Sequence, residues 1–190
     1  MKSIVILHEG NEKNTHDNKL IRLLMEDLQL DIKAVSFFGM GTKSNFFKAE
    51  NYPEFLKEGV NKTIEKILLI VDADDIKNDA LYGGYENTEN ALNEIIAQLN
   101  FQEVSSIYIM CDPMIKTGYL ESFILSTIPA QQKTCIERFL ECSQFKSKEN
   151  HKAILNQIYN MAYPNAPYDF KHPHFGELKT KLTQLFIESN

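Results

Sequence analysis

The sequence predicts an α/β fold: a mostly parallel, four-stranded sheet flanked by helices, followed by a helical C-terminal extension. Three observations predict it. Four short apolar runs rich in β-branched residues recur along the first 110 positions, and a strand covered on both faces reads this way. Stretches with apolar residues three and four apart lie between them, which is the helical period. Acidic or glycine-rich turns follow the apolar runs directly, as loops at the carboxyl edge of a parallel sheet do.

The elements follow in order. Ile4–Leu7 is a continuous apolar tetrad and forms the first strand. A polar turn over Gly10–His16 leads to a helix with Asp17 as N-cap and a stripe of Leu20, Ile21, Leu24, Met25 and Leu28. Ile32–Phe38 is the second strand and ends in Gly39-Met40-Gly41-Thr42-Lys43. A helix over 44–58, interrupted near Pro53, is expected next. Lys66–Val71 is the strongest strand and runs straight into Asp72-Ala73-Asp74-Asp75. Gly83-Gly84 precedes a helix over 86–99 with stripe Leu92, Ile95, Ile96 and Leu99. Ile107–Met110 is the fourth strand, followed by Cys111-Asp112-Pro113. Helices are expected over 120–127, 131–142, 149–161 and 175–188, with Pro164, Pro167 and Pro173 breaking the chain before the last. Residues 1–127 thus form the α/β unit and 128–190 a helical extension packed on it. Right-handed crossovers bring every strand-to-helix loop to one sheet edge.

Composition bounds the function. The chain has 190 residues, 43% hydrophobic and 24% charged, with net charge -6. This is globular composition, and the charge excludes a strongly basic nucleic-acid coat protein. Nucleic acid stays open as a partner, because a metal-charged site binds phosphate without a basic surface. The acid excess is local: residues 1–132 hold 12 Lys/Arg against 20 Asp/Glu, and residues 133–190 hold 8 against 6. No apolar run has the length of a membrane span or a signal-peptide core. The cysteines are Cys111, Cys135 and Cys142, with no CxxC pair. They read as reduced, buried thiols of a cytoplasmic protein.

The chemistry centres on acids. Asp72 and Asp74 follow a buried strand, and buried carboxylates are costly, so the pair belongs in the loop at the strand's end. Two carboxylates two residues apart are hard oxygen ligands suited to Mg²⁺, although aspartate is also common in turns and caps. Glu9 ends the first strand and Asp112 the fourth, and Glu121 opens the helix after Gly118. Like charges gathered at one edge repel, and a cation relieves them. Gly39, Gly41 and Lys43 could approach a phosphate with backbone N–H groups and a point charge, or simply make a turn and helix cap. The spacing is not that of a Walker A loop. Asp169, His172 and His174 sit in a proline-broken loop that suits capping and packing better than metal ligation. No nucleophile elbow and no ordered aromatic stacking platform is present. A receiver-like domain ranks last, because Lys116 is poorly placed for it.

The succession of an apolar strand, His8-Glu9-Gly10, a helix, a Gly/Lys turn and then Val71-Asp72-Ala73-Asp74-Asp75 resembles the Toprim domain. That pattern has one Glu after the first strand and DxD after the third. Ile109-Met110-Cys111-Asp112-Pro113 through Gly118-Tyr119-Leu120-Glu121 is similar to stand-alone Toprim-like bacterial proteins, distantly like overcoming-lysogenization-defect nucleases and primases. The resemblance covers about residues 3–125 and implies a Rossmann-type layer. It also implies Mg²⁺- or Mn²⁺-dependent phosphoryl transfer or phosphodiester hydrolysis on nucleic acid. Asp72 and Asp74 would hold metal, Glu9 would hold metal or act as general acid/base, and Asp112 and Glu121 would supply a second metal position. His8 departs from the usual apolar residue before the Glu, and reads as a proton shuttle or, more readily, a structural imidazole. The other class of function is a nucleotide or nucleic-acid binding module without turnover, acting with a partner protein. A homodimer is compatible with either.

Overall fold

The computed structural model describes residues 3–11, 15–59, 64–143, 148–162 and 168–187. Its centre is a four-stranded, all-parallel sheet in the order β2-β1-β3-β4. The strands are β1 (Ile4–His8), β2 (Val35–Gly39), β3 (Lys66–Asp72) and β4 (Ser105–Met110). The helices are α1 (His16–Asp27), α2 (Glu54–Gly59), α3 (Tyr85–Gln98), α4 (Leu120–Leu125), α5 (Ala130–Cys142), α6 (Lys148–Ala162) and α7 (Gly176–Gln184).

Strand side chains alternate between faces, so the unbroken apolar runs feed two cores. Ile4, Ile6, Leu68, Ile70, Tyr108 and Met110 face α1, α4 and the C-terminal helices. Val5, Leu7, Ile67, Leu69, Val71 and Ile109 face α3 and the 40–56 segment. The C-terminal helices have no core of their own among the described residues. Ile136, Leu155, Tyr159, Leu178 and Leu182 join the cluster that includes the sheet. No helix among the described residues is long and apolar enough to cross a membrane.

Several expectations need correction. The N-cap of α1 is Thr15, whose hydroxyl accepts the Asn18 N–H at 3.3 Å; Asp17 lies in the first turn, two residues after the cap. The helix expected over 44–58 is two 3₁₀ turns, Lys43–Phe47 and Ala49–Asn51, and the short α2. Aromatic residues and Pro53 shorten it, because packing of Phe46, Tyr52 and Leu56 into the core overrides a continuous spiral. Strand β4 starts two residues before the apolar run, at Ser105, because the sheet edge tolerates polar side chains. Cys135 and Cys142 are exposed on α5, while Cys111 is buried. Helix α5 buries only Ile136, so its cysteine face points to solvent. Pro164, Pro167 and Glu188 lie outside the described residues.

Candidate functional site

Register builds the site. His8 pairs with Ile70 across β1 and β3, so Glu9 comes level with the end of β3. There the Glu9 carboxylate accepts the Asp72 N–H at 2.8 Å. Asp72 turns its own Oδ1 to the Leu120 N–H at 3.2 Å, which ties β3 to the start of α4. Asp74 has φ +58°, a left-handed conformation that aspartate tolerates better than most residues. Reciprocal backbone bonds with Gly118 (2.6 and 2.9 Å) hold it there. The Thr117 hydroxyl adds a bond to the Asp74 carbonyl at 2.6 Å. The loops after β3 and β4 therefore form one braced rim.

The rim is crowded with negative charge. Burial pushes Glu9 up to about 7, and Asp74 and Asp17 push the same way, against the Asp72 N–H and Lys152. Burial likewise raises Asp72 well above the usual carboxylate range, with Glu9, Asp17 and Asp74 adding repulsion. Asp17 rises to about 6 through burial and then through Glu121. Sequence reasoning read Asp17 as a cap and missed it as a site acid. Its one available signal was position, at the N-terminus of the helix directly after Glu9.

Lysines balance these acids. The Lys152 ammonium, on α6, stands 3.5 Å from Asp72 Oδ2 and 4.0 Å from Glu121 Oε2, over the Tyr119 ring at 4.4 Å. Burial opposes its charge, but Asp72, Glu121, Asp17 and Glu9 outweigh that and hold its pKa above the ordinary lysine value. Asn156 donates to Glu121 Oε1 at 2.8 Å, while the buried Oε2 has no hydrogen bond. Lys43 is 7% exposed and lies on the opposite flank. It donates to the Ala73 carbonyl (2.7 Å), the Tyr82 carbonyl (2.8 Å) and the Thr88 hydroxyl (2.9 Å), and lies 3.8 Å from Asp74 Oδ2. Three donors thus meet three acceptors, so in this arrangement Lys43 ties loops together and presents no proton to a phosphate.

The structure brings Glu9, Asp72, Asp74 and Glu121 to one rim, with Asp17. Asp112 points elsewhere: its carboxylate pairs with Lys133 and accepts the Met114 N–H at 2.9 Å. Gly39 closes β2 opposite His8. Gly41, at φ +80°, exchanges backbone bonds with Gly10 and so fastens the β2 loop to the Glu9 loop. His8 is fully buried. Its Nδ1–H donates to the Glu9 carbonyl at 2.7 Å, and its Nε2 accepts from Asn18 at 3.0 Å. With both nitrogens engaged in the interior, the imidazole is structural. His174 Nδ1 meets the Ser126 hydroxyl at 2.9 Å, and the His172 ring accepts the His174 N–H at 3.3 Å, both packing contacts.

For Mg²⁺ or Mn²⁺ the donor chemistry fits. The rim offers hard carboxylate oxygens that repel one another, one of them buried without a hydrogen-bond partner. Among the described residues, however, no three His, Cys, Asp or Glu side chains already stand in ligand geometry; an ammonium stands among them instead. The cavity behind Glu121, about 10 Å³, has room for no more than one water and is no ligand site. The two rim loops also expose Ile76, Leu81, Met114 and Ile115. Comparison with protein-family models and with curated proteins finds no match to this chain.

Proposed function

We propose that this chain is a Toprim-like, divalent-metal-dependent enzyme of phosphoryl transfer or phosphodiester hydrolysis on nucleic acid. The observation that carries the reading is the convergence of Glu9, Asp72 and Asp74 from two strand ends. They meet at the carboxyl edge of a parallel sheet, and their mutual repulsion favours a cation there. In this reading Asp72 and Asp74 hold the metal. Glu9, which accepts the Asp72 N–H at the same strand end, holds metal or moves a proton. Glu121 and Asp17 lie where a second ion would be held. Bound Mg²⁺ or Mn²⁺ would stabilise charge on the phosphoryl oxygens.

Calorimetric titration of Mn²⁺ tests the reading, with Asp72→Asn and Asp74→Asn beside the wild type, followed by assays on end-labelled DNA and RNA. Micromolar binding and metal-dependent cleavage, both lost in the variants, are the expected results. Absence of binding by the wild type counts against it.

A second reading is favoured by one observation, the exposed Ile76, Leu81, Met114 and Ile115 on the loops that frame the acids. Apolar side chains exposed near a site are a mark of partner surfaces. In it the protein binds a nucleotide or nucleic acid without turnover and acts with a partner protein. Stoichiometric ligand binding with no product at equimolar enzyme supports this reading over the first.

A further inference from the structure

We propose that Lys152 is a tethered counter-ion: its ammonium fills the cation position between Asp72 and Glu121, and a divalent ion enters the rim only by displacing it. The inference rests on the metal reading above and adds to it a competitor supplied by the chain itself.

The geometry carries the argument. Lys152 comes from α6, distant in sequence from every acid it serves. One helical face of α6 does three things at spacings of three, four and seven residues. Lys152 faces Asp72 and Glu121, Asn156 holds Glu121 Oε1, and Leu155 and Tyr159 anchor the helix in the sheet's core. The Asn156 bond leaves Glu121 Oε2 aimed at the ammonium. That oxygen belongs to a side chain 6% exposed and has no hydrogen bond, so the 4.0 Å ion pair is its compensation. An oxygen buried in this way is stable only beside a positive charge. The ammonium and a metal ion therefore meet the same need and cannot both sit between these two carboxylates.

Exchange requires a path out, and one exists. The Lys152 side chain is 31% exposed, so its flexible stem already reaches water. An ammonium has no geometric preference among carboxylates, whereas a divalent ion gains from several oxygens at once. Displacement is thus favoured once metal concentration is sufficient. In its absence Lys152 keeps the acids from repelling the rim apart.

Two measurements test the proposal. In the wild-type protein, reductive methylation of lysines is followed by mass spectrometry with and without Mg²⁺. Mg²⁺ should speed modification of Lys152 and leave Lys43 unchanged. In the second, Mn²⁺ is titrated into wild type, Lys152→Gln and Lys152→Arg. Removing a competitor that holds the site about nine-tenths of the time tightens apparent binding about tenfold. Lys152→Gln should show that gain and Lys152→Arg should not. Binding to Lys152→Gln alone would show that the lysine is never displaced, and overturns the exchange. Mn²⁺ binding to the wild type with unchanged Lys152 labelling, and no gain in Lys152→Gln, overturns the tethered counter-ion and leaves the metal site standing. No binding to any of the three proteins, and no change in labelling, overturns both. If Lys152→Gln does not fold, the labelling result on the wild type decides.

Discussion

Glu9 Oε1 accepts the backbone N–H of Asp72 at 2.8 Å, so the first acid of the chain is hydrogen-bonded to the strand end that carries the second. The two are 63 residues apart. The bond favours the charged carboxylate, but burial and the neighbouring aspartates outweigh it and push the pKa up to about 7. Position and charge can therefore be separated by substitution.

Glu9→Gln separates them. The glutamine carbonyl still accepts the Asp72 N–H, but the repulsion of Asp72, Asp74 and Asp17 is gone. At pH 8 and without metal, the variant should melt ~2–4 °C above the wild type, corresponding to a gain of about 1 kcal/mol. Its Mn²⁺ affinity should fall at least about tenfold, through loss of a charged ligand. Scanning fluorimetry and calorimetry give the two readings. A lower melting temperature at pH 8 would show that the charge itself stabilises the rim.

The wild type should lose stability as pH rises across the neutral range. Glu9 has a folded pKa of about 7 against an ordinary 4.5, and Asp17 about 6 against 3.8. Between those values the folded state holds protons that the unfolded chain has released, so unfolding becomes easier with rising pH. The stabilisation is complete below about pH 4 and gone above about pH 7. Melting temperature in metal-free buffer should therefore fall between pH 5 and pH 7.5 by about 5 °C. Mg²⁺ should flatten that slope. A melting temperature that rises over the same interval would falsify the electrostatic account of the rim.

Lys43→Met removes the tie between the DxD loop and the start of α3. It takes the ammonium from the Ala73 and Tyr82 carbonyls, which keep the Gly84 N–H and the Thr88 hydroxyl as donors, and removes a charge from beside Asp74. Loss of these bonds should cost about 2–3 kcal/mol in urea denaturation, less than the sum of three bonds because burying the ammonium is itself unfavourable. A neutral effect would mean that the lysine's desolvation cancels its bonds.

The thiols should divide by exposure. Cys135 and Cys142 are exposed, whereas Cys111 is buried and its pKa is pushed up to about 11, first by that burial. A thiol-specific chromogenic reagent should modify two thiols quickly in the folded protein and the third only on unfolding, because thiolate is the reacting form. Rapid modification of all three would indicate that the end of β4 opens readily.

Much of the architecture was legible in the chain. Ile4–Leu7 and Ile67–Val71 could only be strands covered on both faces, because so dense a run of apolar, largely β-branched side chains needs both to be buried. The cost of burying carboxylates placed Glu9, Asp72 and Asp74 in loops at one edge; Glu9 and Asp74 do lie there, whereas Asp72 is the last residue of β3, paired with Met110 and buried. Helix stripes such as Leu20–Met25 carried their own period. The 44–58 segment was less legible, since aromatic anchors in the core override local helical preference there.

What the sequence by itself determined was therefore the layer order and which strand ends bear acids. Local pattern reports burial, and burial decides both. Only the tertiary structure decided who stands next to whom at the rim. It joined Asp17 to the acids and turned Asp112 toward Lys133. It also buried Lys43 as a tie and brought Lys152 from α6 into the carboxylates. Charge pairing between distant segments leaves no period in a sequence. It depends on distances of a few ångströms that the packed sheet and helices alone establish.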